Sequence, residues 1–65
     1  MYFEYFNRDG DRTLYTESAK CVLDDYEKDN LKAMKENGYK FKINGKAVSY
    51  KKLVEIITDN TKSGS

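Results

Sequence analysis

The sequence predicts a single α+β domain, with one layer of two helices packed on one face of a three- or four-stranded antiparallel sheet. Two segments have the alternation and turn residues of β-hairpins, and a helix pattern follows each of them. The predicted order is therefore ββαββα over residues 1–60 of the 65-residue chain. Residues 61–65 are predicted to form a disordered tail, and their Ser-Gly-Ser end resembles a cloning remnant.

The first hairpin is predicted from two runs of strand-favouring residues on either side of a polar turn. Residues 2–6 are mostly aromatic, and residues 13–16 contain Leu14 and Tyr15 between threonines. The Asp9-Gly10 pair in the intervening loop suits a turn with positive φ.

A long amphipathic helix is predicted over residues 18–37. Ser18 or Thr16 can cap its start, and Asn37-Gly38 is typical of the left-handed position at which helices stop. Asn30 falls within the apolar face, which indicates either a break between two shorter helices or a polar residue with a buried partner. The apolar face predicted by the helical wheel consists of Ala19, Val22, Leu23, Tyr26, Ala33 and Met34.

The second half of the chain repeats the order of hairpin and helix. Residues 39–43 alternate apolar side chains with lysines, and Asn44-Gly45 is the strongest short hairpin signal in the sequence. Residues 46–48 then return as a short strand. If the long helix carries the chain across the sheet, the third strand lies beside the first, and the strand order is 2-1-3-4. The last helix begins after Ser49 and has its apolar residues at helical spacing: Tyr50, Leu53, Val54 and Ile57.

Composition indicates a folded, cytoplasmic protein without cofactors. Aromatic residues make up 14% of the chain, which is generous for a chain with 35% charged residues. Cys21 is the single cysteine, so no disulfide forms within the chain, and an unpaired thiol fits a reducing compartment. No apolar run approaches the roughly 20 residues of a membrane span. A chain with no histidine and one thiol is not expected to bind zinc.

Catalysis is not expected either. Histidine, the commonest general base, is absent, and Cys21 has no base near it in the sequence. Asp24 and Asp25 are adjacent, but neighbouring side chains diverge by about 100° around a helix, so we interpret both as part of a solvated helix face. The loop after Asn7 has the oxygen spacing of a calcium loop, but Arg12 stands where that loop requires glycine. We therefore predict that the chain is not an enzyme.

The side of the sheet that faces away from the helices is the predicted contact surface. Side chains point to alternate faces along a strand. If the helices cover the face that carries Phe3, Leu14, Tyr39, Phe41 and Ile43, the reverse face is left without cover from the chain itself. Aromatic rings among lysines can bind a protein or can stack nucleic-acid bases, or they can form cross-strand pairs without any ligand. The reverse side receives Tyr2, Glu4, Phe6, Thr13, Tyr15, Lys40 and Lys42.

The leading hypothesis is a protein-interaction module, a small inhibitor or regulator of a larger protein, whose binding residues are Tyr2, Phe6, Tyr15, Lys40 and Lys42. A homodimer that buries the same face is a special case. Binding of single-stranded nucleic acid through that face is the alternative, which a sequence pI of about 7.8 and the lack of arginine among the lysines disfavour. The acidic residues of the first helix, which could imitate phosphates, are a third possibility. The Lys-, Glu-, Asn- and Tyr-rich composition resembles that of small accessory proteins of phages and mobile elements.

Overall fold

The computed structural model describes the backbone of residues 1–63 and the side chains of residues 1–60. Within these residues the elements are β1 (Phe3–Phe6), β2 (Arg12–Thr16), α1 (Ala19–Glu27), α2 (Asn30–Glu36), β3 (Lys40–Ile43), β4 (Lys46–Val48) and α3 (Tyr50–Ser63). The predicted α+β class is confirmed, with the long first helix divided in two. The disordered tail predicted for residues 61–65 does not fit residues 61–63, whose backbone continues α3, and for residues 64–65, which lie outside the described backbone, it stays a prediction.

The four strands form one sheet in the order β2-β1-β3-β4, and all neighbours are antiparallel. This is the predicted 2-1-3-4 order, and β4 pairs with β3 in spite of its length of three residues. The register places Phe3 opposite Ile43 and Tyr5 opposite Phe41. Because side chains alternate along a strand, these four residues share one face of the sheet.

The caps and turns that bound these elements follow the sequence signals. Ser18 Oγ accepts the Cys21 N–H at 3.3 Å, and Ser49 Oγ accepts the Lys52 N–H at 3.2 Å, so both predicted N-caps are confirmed. In the second hairpin, Asn44 and Gly45 have φ of 53° and 82°, and two consecutive positive values are what a type I′ turn requires. None of the helices in the described part of the chain has the length and apolar character needed to cross a bilayer.

All three helices pack on the same face of the sheet. The core takes side chains from that face and at least one side chain from each helix, and each of these is 6% exposed or less. Leu14 and Tyr39 are half-buried and pack against this core, as predicted. The core residues are Phe3, Tyr5, Val22, Leu31, Phe41, Ile43, Leu53 and Ile57.

The break between α1 and α2 overturns part of the predicted apolar face. Asp29 has a φ of 62°, which is left-handed, and its N–H donates to the Tyr26 carbonyl at 3.0 Å, so the regular helix ends there. A continuous wheel does not hold across this break. Leu31 is therefore completely buried, whereas Asn30 and Ala33 are exposed. Placing Asn30 and Ala33 on the apolar face was wrong, and the alternative of two shorter helices is confirmed.

Asp25, which lies on α1, forms hydrogen bonds with β1 of the sheet and with α2. Its Oδ2 accepts the Tyr5 hydroxyl at 3.1 Å, and its Oδ1 accepts the side-chain amide of Asn30 at 3.3 Å. Tyr5 is 2% exposed, and a buried hydroxyl needs a partner. The interpretation of Asp25 as part of a solvated helix face was therefore wrong, because this half-buried carboxylate supplies the partner that Tyr5 needs.

We expect Asp25→Ala to lower the free energy of unfolding by about 1–2 kcal/mol, because it leaves the Tyr5 hydroxyl without an acceptor. Asp24→Ala is the matched control: this neighbouring residue is exposed, and its loss should change the free energy by less than about 0.5 kcal/mol. Urea denaturation followed by circular dichroism measures both values. Equal losses in the two variants would contradict the role given to Asp25.

Stability should also fall in alkali, because of Tyr5. Burial raises the pKa of the Tyr5 hydroxyl well above its usual value, and the neighbouring Asp25 charge raises it further. The hydroxyl thus ionises in the unfolded chain near pH 10 but stays protonated in the fold. Above about pH 10 the free energy of unfolding should therefore drop by up to about 1.4 kcal/mol per pH unit from this group.

Tyr5→Phe isolates that contribution, because it retains the ring and removes the titrating group. Urea unfolding at several pH values between 8 and 11 measures the difference between the wild type and this variant. We expect the advantage of the wild type to be constant up to about pH 10 and to shrink above it. Parallel curves over the whole range would show that Tyr5 does not titrate differently in the two states.

Candidate partner-binding face

The side of the sheet opposite the helices, called the open face below, has no helix over it within the described residues. Glu4 lies opposite Tyr15 on one side and Lys42 on the other. Phe6 lies opposite Lys40 on β3. The open face thus carries Tyr2, Glu4, Phe6, Arg12, Tyr15, Lys40, Lys42 and Ala47.

A pair of stacked tyrosines forms one end of the open face. The rings of Tyr2 and Tyr15 have centroids 5.4 Å apart and planes 29° apart. Tyr2 is fixed by the second hairpin: its N–H donates to Asn44 Oδ1 at 3.0 Å, and its carbonyl accepts the Asn44 N–H at 2.9 Å. A Cβ at Gly45 would lie 3.0 Å from the Tyr2 hydroxyl oxygen, so the ring reaches over the turn. Tyr15 rests on this fixed ring and is itself 49% exposed.

A bulge brings an arginine into the middle of the open face. The register of β1 and β2 shifts between Tyr5 and Phe6, so that Phe6 pairs with Arg12 instead of Thr13. Arg12 Nη1 lies 3.2 Å from Glu4 Oε2, and the guanidinium carbon lies 5.5 Å from the centre of the Tyr15 ring. The Glu4 side chain is only 12% exposed as a result of this crowding.

A basic cavity forms the other end of the open face. Lys42 Nζ lies 4.8 Å from the centre of the Phe6 ring, a cation–π distance that holds the ammonium group beside the cavity. A Cβ at Gly38 would lie 3.5 Å from Arg8 Cγ, so the Arg8 stem lies against the backbone there. The cavity has a volume of about 340 Å³ and is lined by Phe6, Asn7, Arg8, Asp9, Gly10, Lys40 and Lys42. It is called the Arg8 cavity below.

The loop that forms the Arg8 cavity is well ordered by hydrogen bonds. Asn7 Oδ1 accepts the N–H groups of Asp9 at 3.0 Å and of Asp11 at 2.9 Å, and the Asn7 carbonyl accepts the Gly10 N–H at 3.0 Å. Gly10 has a φ of 91°, which confirms the predicted turn at Asp9-Gly10. The side-chain oxygen of Asn7 thus accepts hydrogen bonds that shape the loop, whereas the neighbouring Arg8 is exposed.

The electrostatics of the open face favour an acidic partner. It carries three cations, Arg12, Lys40 and Lys42, against the single carboxylate of Glu4. Among the described side chains, the ion pairs join Arg12 to Glu4 and Lys52 to Glu55. None of them involves Arg8, Lys40 or Lys42. Among the described residues that line the Arg8 cavity, Asp9 is the one anion, and it forms no ion pair with these three cations.

The five residues predicted to bind a partner all lie on the open face, at its two ends. Tyr2 and Tyr15 are stacked at one end, and Phe6, Lys40 and Lys42 surround the Arg8 cavity at the other. Arg8 and Arg12 were not among the residues predicted to bind a partner. Arg12 reaches the open face through a bulge, which strand alternation does not reveal, and Arg8 reaches the cavity through the shape of the loop.

In the part of the chain that the structure describes, the remaining reactive groups do not converge on a second site. Cys21 is exposed on α1. Among the described residues, no three Cys, Asp or Glu side chains come together in the way that a metal ion requires. Comparison with protein-family models, with curated proteins and with solved structures finds no match to the chain.

Proposed function

We propose that the chain is a non-enzymatic protein-interaction module, an inhibitor or regulator of a larger protein, that binds its partner through the open face. The observation that carries this proposal is an uncovered sheet face with an exposed tyrosine, Tyr15, at one end and a cavity lined by basic groups outside the described ion pairs at the other. Tyrosine and arginine are, with tryptophan, the residue types enriched at the energetic centres of protein interfaces, because they combine large contact area with hydrogen-bonding groups.

The side chains of the open face are already held in place by contacts within the chain, which supports the proposal. Tyr2 is fixed by the Asn44-Gly45 turn, Tyr15 is stacked on Tyr2, and the guanidinium group of Arg12 is held by Glu4. Side chains that are already ordered lose little conformational entropy when a partner binds, so more of the contact energy becomes affinity.

Single-stranded nucleic acid is the competing partner, and the ring contacts weigh against it. Base stacking needs an aromatic face that is free to accept a base. The Tyr15 ring is covered by Tyr2 and approached by Arg12, and the Phe6 ring is covered by Lys42. A base would have to displace these groups, whereas a protein side chain can pack on the exposed edges. For this reason a protein partner is the better supported proposal.

Photo-crosslinking from the open face tests the proposal. With Tyr15→p-benzoylphenylalanine, irradiation in a lysate of the source cells should yield one dominant adduct that mass spectrometry identifies as a protein. The matched control is the same replacement at Lys51, which is exposed on α3 in the helix layer, and it should not yield this adduct. Unmodified chain should compete for the adduct, and Tyr15→Ala chain should need at least about tenfold higher concentration, because truncation of a tyrosine at the energetic centre of an interface costs about 2 kcal/mol or more.

Several outcomes would contradict the proposal. Equal labelling from positions 15 and 51 would mean that the open face is not the contact surface, as would undiminished competition by the Tyr15→Ala chain. An adduct of twice the chain mass would identify the homodimer as the form in which the open face is buried. Light scattering on the wild type and on Tyr15→Ala then checks whether the dimer depends on that face.

A further inference from the structure

We propose that the Arg8 cavity binds the carboxylates of an acidic segment of the partner protein, while an apolar residue of the same segment packs on Tyr15. This inference rests on the proposed function and adds the chemistry of the partner to it. Its basis is the arrangement of Arg8, Lys40 and Lys42 around one cavity that holds a single carboxylate, Asp9.

The three cations line one cavity, so that a single ligand can contact all of them. Arg8 lies along Gly38, Lys42 is held over the Phe6 ring, and neither group forms an ion pair within the described side chains. Like charges brought to one place repel each other, so an incoming anion gains from all three at once. Arg8 adds a planar group of donors that matches the two oxygens of a carboxylate.

The dimensions of the open face set the spacing in the ligand. The Arg8 cavity lies at Phe6, Tyr15 lies opposite Glu4, and its stacking partner Tyr2 stands four residues before Phe6. At roughly 3.3 Å per residue, the stacked tyrosines therefore lie about 7–13 Å from the cavity along the strand direction. An extended segment that places acidic residues in the cavity therefore brings its residue two to four positions away over Tyr15. We expect the ligand to have one or two Asp or Glu residues and an aromatic or aliphatic residue at that distance.

Selection from a random peptide library displayed on phage tests this inference without knowledge of the partner. Immobilised wild-type chain should enrich peptides with the predicted acidic and apolar spacing. In fluorescence anisotropy, a labelled peptide of this type should bind the double variant Arg8→Gln, Lys40→Gln about tenfold more weakly, and it should bind more weakly in high salt. The matched control is Lys51→Gln, Lys52→Gln, which removes two exposed lysines from α3 and should bind as the wild type does.

The results separate the inference from the proposed function. Peptides that depend on Tyr15 but lack acidic residues, and that bind the Arg8→Gln, Lys40→Gln variant normally, would overturn the acidic-segment inference and leave the proposed function intact. Peptides that bind equally well to Tyr15→Ala, or no enrichment at all, would overturn both. Because Arg8 and Lys40 are exposed, their variants should keep the urea midpoint of the wild type, so a change in binding is not a change in folding.

Two further measurements decide between occupants of the Arg8 cavity. A labelled dT12 oligonucleotide that binds more tightly than the selected peptides at equal salt, and that loses affinity in the double variant, would overturn the peptide in favour of nucleic acid. A second copy of the chain offers the exposed carboxylates of Asp24 and Glu27 on α1. Self-association in sedimentation velocity that Arg8→Gln, Lys40→Gln abolishes would make that copy the occupant and overturn the separate partner.

Discussion

The alternation of side chains along β1 is the constraint on which the rest of the structure depends. β1 is a central strand with neighbours on both sides, so its register fixes the facing of the whole sheet. Phe3 and Tyr5 point into the core, and Glu4 and Phe6 necessarily point away from it. A slip of one residue would exchange the two sets and bury a carboxylate in place of an aromatic ring. The strand that creates the core therefore also creates the open face.

The helix layer adapts to the single polar atom that β1 brings to the core. The Tyr5 hydroxyl requires an acceptor, and Asp25 supplies one from the last turns of α1. Asn30 at the start of α2 donates to the other oxygen of the same carboxylate. Among the described residues, no buried side-chain polar atom is left without a partner. The break between α1 and α2 thus places one polar residue at the junction and turns the following residue, Leu31, into the core.

The strands, the hairpin turns and the serine caps could be predicted from the sequence, because each depends on local residues such as Ser18, Ser49 and Asn44-Gly45. The parts that could not be predicted depend on contacts distant in sequence. Asp25 is only half-exposed because it accepts a hydrogen bond from the hydroxyl of Tyr5, which lies 20 residues earlier in the sequence. The wheel failed beyond Asp29 because a left-handed residue changes the phase of a helix without changing its composition. At the candidate site, alternation gave the aromatic residues and lysines, whereas the bulge and the loop added Arg12 and Arg8.

The contacts of the open face divide into those that the fold explains and those that it does not. The stack of Tyr2 on Tyr15, the Arg12–Glu4 ion pair and the Lys42–Phe6 contact are cross-strand pairs, which stabilise a sheet by about 0.2–1 kcal/mol each whether or not a ligand binds. Stability alone therefore accounts for them. The approach of Arg8 and Lys40 to the same cavity as Lys42 is different, because none of the described ion pairs accounts for it. A basic cluster that the fold does not require, on the one sheet face that its own helices leave uncovered, is better explained by an anion that comes from outside the chain.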